Sequence, residues 1–221
     1  MDEHYVKKLE SVIAKMLEPI KGVPFGVIIK GLCDCEVIPF DNTNKQDLAL
    51  LKKLKKVALK AGQDINQNPI VRKRANEVGN DIENYVKRAL DNVGYNADVP
   101  SGNSGNKKST GYPDLIFFDE YGRANYLECK TYNENSYDTS FRSFYLSPSS
   151  DFKITQDAHH FVISYEIYVV GRKGDKNIYK AKAWKLLSIA DLICDVKHEF
   201  NSDNNRLYSK ELIIAEGSIK E

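Results

Sequence analysis

The amino-acid sequence predicts a mixed α+β fold in which a mixed central β-sheet is flanked by helices and preceded by an N-terminal helical region. Three observations carry that expectation. Apolar residues recur at three- and four-residue steps through the first part of the chain. Two short runs between residues 115 and 131 flank a glycine turn, and residues 161–170 are dense in β-branched and aromatic side chains. At 221 residues and 42% hydrophobic content, the chain has the material for one large buried core.

Tyr5, Val6, Leu9, Val12, Ile13, Met16 and Leu17 keep helical spacing over residues 3–18, and Pro19 ends the pattern. Val27, Ile28 and Ile29 lie between glycines and prolines and read as either a strand or a buried linker. A second helix is expected from Asn44 to Ala61, with Leu48, Leu51, Leu54, Val57, Ala58 and Ala61 on its apolar side and lysines on the other. Pro69 breaks the pattern. A third helix follows from Asn76 to Val93 through Val78, Ile82, Tyr85, Val86, Ala89 and Leu90, and Gly94 supplies its stop. Residues 101–111, SGNSGNKKSTG, are too small and polar to bury and predict an exposed loop. Leu115–Phe118 and Ala124–Thr131 then form a β-hairpin about a turn at residues 119–123. Phe161–Val170 predicts a central strand, residues 171–175 a turn, Ile178–Trp184 a hairpin partner, and Ser188–Cys194 a short helix. Residues 1–70 are thus expected to form a helical region and residues 71–221 a core with a C-terminal extension, together one compact domain.

The formal net charge of +1 conceals an asymmetry. Residues 45–74 carry nine basic residues (Lys45, Lys52, Lys53, Lys55, Lys56, Lys60, Arg72, Lys73 and Arg74) against Asp47 and Asp64, a local balance of +7. The rest of the chain is therefore net −6. A basic stripe on an otherwise acidic protein suits a polyanion, and suits a solvated helix face as well. The four cysteines (Cys33, Cys35, Cys129, Cys194) are too irregularly spaced for a disulfide framework, and Cys33-x-Cys35 lacks the second pair of a zinc site, so all four read as free thiols. No apolar run approaches the roughly 18 residues of a membrane span. The acidic Met1-Asp2-Glu3-His4 start lacks the architecture of a signal peptide, and a cytoplasmic protein is expected.

The informative stretch is GYPDLIFFDEYGRANYLECKTYN, residues 111–133. Alternation along a strand puts Tyr126, Glu128 and Lys130 on one face and Leu127, Cys129 and Thr131 on the other. Antiparallel pairing brings Asp114, at the start of the preceding strand, near Glu128. Two carboxylates that close need a positive partner, which a hard divalent cation such as Mg2+ supplies, with the ammonium of Lys130 beside it. The bland alternatives are a turn aspartate after Pro113 and an exposed Glu128–Lys130 charge pair. Apolar neighbours on both strands favour the metal site. His159 and His160 adjoin a strand without other ligands and read as structural.

Pro113-Asp114, an interval of thirteen residues and then Glu128-Cys129-Lys130 resemble the signature of the PD-(D/E)XK nuclease superfamily in its E-x-K form, and a type II restriction endonuclease in particular. The resemblance covers residues 75–170. It implies a restriction-endonuclease-like core in which Asp114, Glu128 and the Cys129 backbone carbonyl bind Mg2+ and Lys130 positions the attacking water. It also implies an upstream acidic residue, for which NEVGNDIENYVKRAL offers Glu83, with Glu77 as competitor. Expected DNA contacts are Lys107, Lys108, Ser109 and Thr110 on the glycine-rich loop, Asn133, Asn135, Ser140 and Arg142 after the hairpin, and Lys52 with Lys56 on the basic helix. The implied activity is sequence-specific hydrolysis of double-stranded DNA by a homodimer, with a cognate DNA methyltransferase in the same system and no membrane partner. The N-terminal helices would serve DNA binding or dimerisation. A structure-directed repair or recombination nuclease and a non-enzymatic nucleic-acid-binding module are the alternatives.

Overall fold

The computed structural model describes residues 2–16, 18, 20–108, 110–133, 144–197, 204–207, 209 and 212. Pro24–Ile193 form one compact unit, and Met1–Val23 with Cys194–Glu221 form another. The first helix of the chain, α1 (Glu3–Met16), belongs to the smaller unit. It has the predicted amphipathic pattern, yet none of its residues is buried. No helix among the described residues is long and apolar enough to cross a membrane.

The larger unit is a mixed α+β fold. From residue 23 to residue 194 the described elements run β1 (Val23–Pro24), α2 (Phe25–Cys33), β2 (Val37–Ile38), α3 (Lys45–Gln67), β3 (Ile70–Arg72) and, after a 3-10 turn at Ala75–Glu77, α4 (Val78–Asn92). Then come β4 (Leu115–Phe118), β5 (Ala124–Tyr132), β6 (Ala158–Lys173), β7 (Lys176–Ser188) and β8 (Ile193–Cys194). The main sheet has the order β3-β7-β6-β5-β4, with β2 also pairing with β6. β5 and β2 run parallel to β6 and the other neighbours are antiparallel, so the sheet is mixed.

Each face of the sheet has its own core. On one side α3 and α4 present Leu50, Leu54, Val57, Ala61, Ile82 and Val86 to Leu127, Cys129, Ile163 and Tyr165. Fully burying each Leu, Val or Ile stabilises by about 1.5–3 kcal/mol. On the other side Phe25 and Ile29 of α2 pack with Tyr126, Ile154 and Val162. Asn44 caps α3 by accepting from the Gln46 and Asp47 amides, and the helix continues past Ala61 to Gln67 because Ile65 adds one more buried position. Gly94, at φ +87°, follows α4 where the sequence placed a stop.

Two sequence expectations are corrected. Val27–Ile29 is neither strand nor linker but the middle of α2, where Phe25 and Ile29, four apart, bury completely while Val27 stays exposed. Ser188–Cys194 is not a helix. Ser188 ends β7, Ile189 donates to the His160 carbonyl at 3.0 Å, and a turn closed by Leu192 N–H to Ile189 C=O leads into β8. Sheet pairing there outweighs a weak helical pattern.

The far end of the β4–β5 hairpin is tied to α3 by a buried charge network. Asp119 Oδ1 accepts from the Tyr121 and Arg123 amides, Arg123 Nε donates to Asp119 Oδ2 at 2.7 Å, and Arg123 Nη1 donates to Asp47 Oδ1. Asp47 and Asp119 are 2% and 6% exposed, so removing Arg123 would strand two anions in the interior. Arg123→Met is expected to lower stability by about 3–5 kcal/mol in urea denaturation. A loss below about 1 kcal/mol would mean that the network is hydrated and weak.

Candidate active site

β4 alternates buried and more open residues while Ala124 to Cys129 of β5 are all buried, and the two strands pair with Leu115 opposite Leu127 and Phe117 opposite Asn125. Asp114, one residue before Leu115, therefore stands across from Glu128. Its Oδ2 accepts the Cys129 amide proton at 2.7 Å, which orients the carboxylate along the edge of β5. Lys130 Nζ donates to Glu128 Oε1 at 2.6 Å. Glu128 Oε2 is buried and has no hydrogen-bond partner among the described residues. Cys129 turns the other way, into the core under α4, as strand alternation requires.

The electrostatics show a cluster short of positive charge. Burial first, then the Asp114 carboxylate, pushes Glu128 up to about 7. Glu83 on α4 is pushed up to about 7 by its own burial and then by Asp114 and Glu128. Asp114 is raised by burial, with the Cys129 amide and Lys130 pulling the other way. Glu77 lies outside this cluster, in an ion pair with Arg74 at 3.1 Å that holds its carboxyl below the usual range. Of the two upstream glutamates, Glu83 is the one whose carboxyl feels the charges of Asp114 and Glu128.

Sequence spacing missed Lys153, which lies in an irregular segment before β6. It is 4% exposed, and its Nζ donates to the Gly111 carbonyl at 2.6 Å and the Pro113 carbonyl at 2.7 Å. Burial lowers its pKa, and Asp114, Glu128 and Glu83 oppose that shift. A lysine flanked by the apolar Phe152 and Ile154 was the available signal, because a lysine in an apolar run is buried only when charges meet it.

The expected DNA-contact residues are dispersed. Lys107 pairs with Asp98, and Lys108 with Asp151 at 2.6 Å, so both loop lysines already hold carboxylates. Asp151 also accepts from the Ser104 amide and hydroxyl, and Lys108 and Ser104 hold its carboxyl down at about 2. A Cβ at Gly102 would collide with that carboxylate, so the loop closes on Asp151 only with glycine there. Thr110 is exposed, and Asn133 is half-buried just beyond β5. Ser109, Asn135, Ser140 and Arg142 lie outside the described residues. Lys52 and Lys56 project from the exposed side of α3 and make no ion pair with a described residue, whereas Lys53 is bound to Glu120 at 3.2 Å. His159 and His160 are buried, His160 held well below its usual range, to about 3, by burial and bonded through Nδ1 to the Tyr112 hydroxyl at 2.6 Å.

A profile of the type II restriction enzyme MjaV family matches residues 19–211. The chain belongs to this family. It is also 37% identical to the type II restriction enzyme MjaV of Methanocaldococcus jannaschii over 99% of both chains. No solved structure matches it. A type II restriction enzyme is a DNA endonuclease, and the α+β sheet with carboxylates at a strand hairpin is the frame on which this one is built.

Among the described residues, no group of three or more His, Cys, Asp or Glu side chains is already arranged to hold a metal ion. The donors nonetheless fit a hard cation. Glu128 Oε2 is buried without a partner, two carboxylates oppose each other across the hairpin, and Mg2+ needs only one or two carboxylates because it keeps several waters. The raised pKa values carry a stability consequence. Between the ordinary 4.5 and about 7, the folded protein binds more protons than the unfolded one at Glu128 and Glu83. Stability without metal should therefore fall as pH rises through that window. Glu128→Gln is expected to raise the melting temperature of the metal-free protein at pH 8 by roughly 2–4 °C per kcal/mol recovered, and to change it little at pH 4.5. Equal melting temperatures for the two proteins at pH 8 would refute the shift.

Proposed function

We propose that this type II restriction endonuclease is of the PD-(D/E)XK type and hydrolyses both strands of double-stranded DNA at a specific sequence with Mg2+. Asp114, Glu128 and the Cys129 carbonyl would hold the cation. The observation that carries this reading is the opposition of Asp114 to Glu128, with Lys130 on one oxygen of Glu128 and no partner on the other. When bound, Mg2+ polarises a phosphate oxygen and offsets charge on the leaving group. Lys130 orients the attacking water and balances negative charge that gathers on the phosphate in the transition state. Glu83 adds a third carboxylate that can accept hydrogen bonds from water at the same place. Cys129 takes no chemical part, since its thiol is buried in the core.

Cutting both strands of a two-fold site calls for two active sites related by a two-fold axis, so the working enzyme is a homodimer. It acts in the cytoplasm beside a cognate DNA methyltransferase that protects the host sequence. Bacteriophage DNA incubated with the protein and Mg2+ should give discrete bands. A smear would indicate a nuclease without sequence preference. Asp114→Ala and Lys130→Ala are each expected to slow cleavage by about 10²-fold or more while sparing DNA binding in gel-shift measurements. Cleavage by either variant near the parental rate would overturn the assignment.

The exposed lysines of α3 supply a second test. Helical spacing puts Lys52 and Lys56 on one face. If both approach phosphates, the Lys52→Ala/Lys56→Ala variant, made in a cleavage-dead background, binds specific and random duplex more weakly. Its log–log salt dependence also becomes shallower by nearly two units. An unchanged slope would assign that face to solvent or to the second subunit.

A further inference from the structure

We propose that Lys153 is a positioning residue of the candidate active site, a buried ammonium that pins the Gly111–Pro113 turn delivering Asp114 and stands as a fixed positive charge beside Asp114, Glu128 and Glu83. The inference rests on the nuclease reading above.

The segment around Lys153 leaves its side chain little freedom. Phe152 and Ile154 are buried on either side of it. The Thr155 amide donates at 3.0 Å to the hydroxyl of Tyr126, two residues before Glu128 on β5, and Asp151 grips the 102–108 loop. Residues 151–155 thus form a strap from the glycine-rich loop to the strand that carries Glu128. Lys153 is its crosspiece. Its two hydrogen bonds hold the carbonyls on either side of Tyr112, and Gly111, at φ +81°, provides the bend that presents the first of them.

A pin alone does not need a charge. Taking an ammonium out of water costs several kcal/mol unless anions meet it, and two carbonyls do not neutralise it. The anions whose charges reach Lys153 are Asp114, which follows the Pro113 carbonyl that Lys153 holds, with Glu128 and Glu83; Lys108 is the cation that acts against it. Lys130 and Lys153 together leave these three carboxylates one positive charge short. Lys153 therefore keeps Asp114 in place before the cation arrives, and it opposes the cation's binding electrostatically once it does. A purely structural lysine would do only the first.

The two effects separate in Lys153→Met, which keeps the length and loses the charge and the donor. Mg2+ affinity is read by calorimetry on the intact protein without DNA, with Asp114→Ala as control, and the cleavage rate in single turnover at saturating Mg2+. The expected result is Mg2+ bound about threefold or more tightly, because a like charge has gone, with cleavage slower by about 10–100-fold. Lys153→Arg, which keeps charge and donors, should recover most of the rate. If the Met variant does not fold, Lys153→Gln takes the same measurements. Parental affinity and rate in the neutral variant would overturn the proposal. So would a joint loss of affinity and rate that Arg does not rescue, which marks a residue needed only for folding. A parent protein that neither binds Mg2+ nor cuts DNA would instead refute the nuclease reading itself.

Discussion

Carboxylates held close together and away from water repel one another and forfeit hydration, and the architecture around Asp114, Glu128 and Glu83 is organised by that cost. Two come from paired strands whose register is set by buried neighbours, and the third from a helix clamped to the same sheet. A side chain on such elements cannot swing away to relieve the repulsion. The remaining means of relief are present: a backbone amide on Asp114, an ammonium on Glu128, a second ammonium behind the turn, and raised proton affinity on all three acids. One oxygen of Glu128 is left unsatisfied.

The two ends of the β4–β5 hairpin answer the same electrostatic problem differently. At the turn, Arg123 sits between Asp119 and Asp47 with short, directed hydrogen bonds to each, although its buried Nη2 has no partner among the described residues. That end joins the hairpin to the start of α3. At the open end, the acids outnumber the cations that reach them. A few residues of strand separate a charge cluster largely closed by protein groups from one in which the acids outnumber the ammonium groups near them, and those strands are apolar enough to keep the two apart.

What the sequence showed and what it hid follow from the range of the interactions. The hairpin was legible because Leu127, Glu128, Cys129 and Lys130 alternate within one strand, and α3 because Leu54, Val57, Ala58 and Ala61 repeat at helical steps and are buried, although Leu48 of the expected apolar side is exposed and Leu50 is buried instead. α2 was obscured by Gly26 and Gly31, which lower helix propensity although Phe25 and Ile29 bury at a helical interval. The pairing of Arg123 with Asp47 spans 76 residues, and that of Lys153 with Gly111 spans 42, so neither leaves a local pattern. Glu83 was preferred on paper with Glu77 as its competitor, the two lying six residues apart. Only the packing of α4 against β5 distinguishes the one spent on Arg74 from the one facing Asp114.

Along β5, chemistry and core alternate residue by residue, with Glu128 and Lys130 on one side and Leu127 and Cys129 on the other. Such a strand tolerates exchanges of residue far better than changes of length. Deleting a single codon between Asn125 and Cys129 would turn every later side chain over, carrying the lysine into the oily layer beneath α4 and bringing core residues out to the opposite face. A change of length is therefore absorbed far more easily by the loops than by this strand.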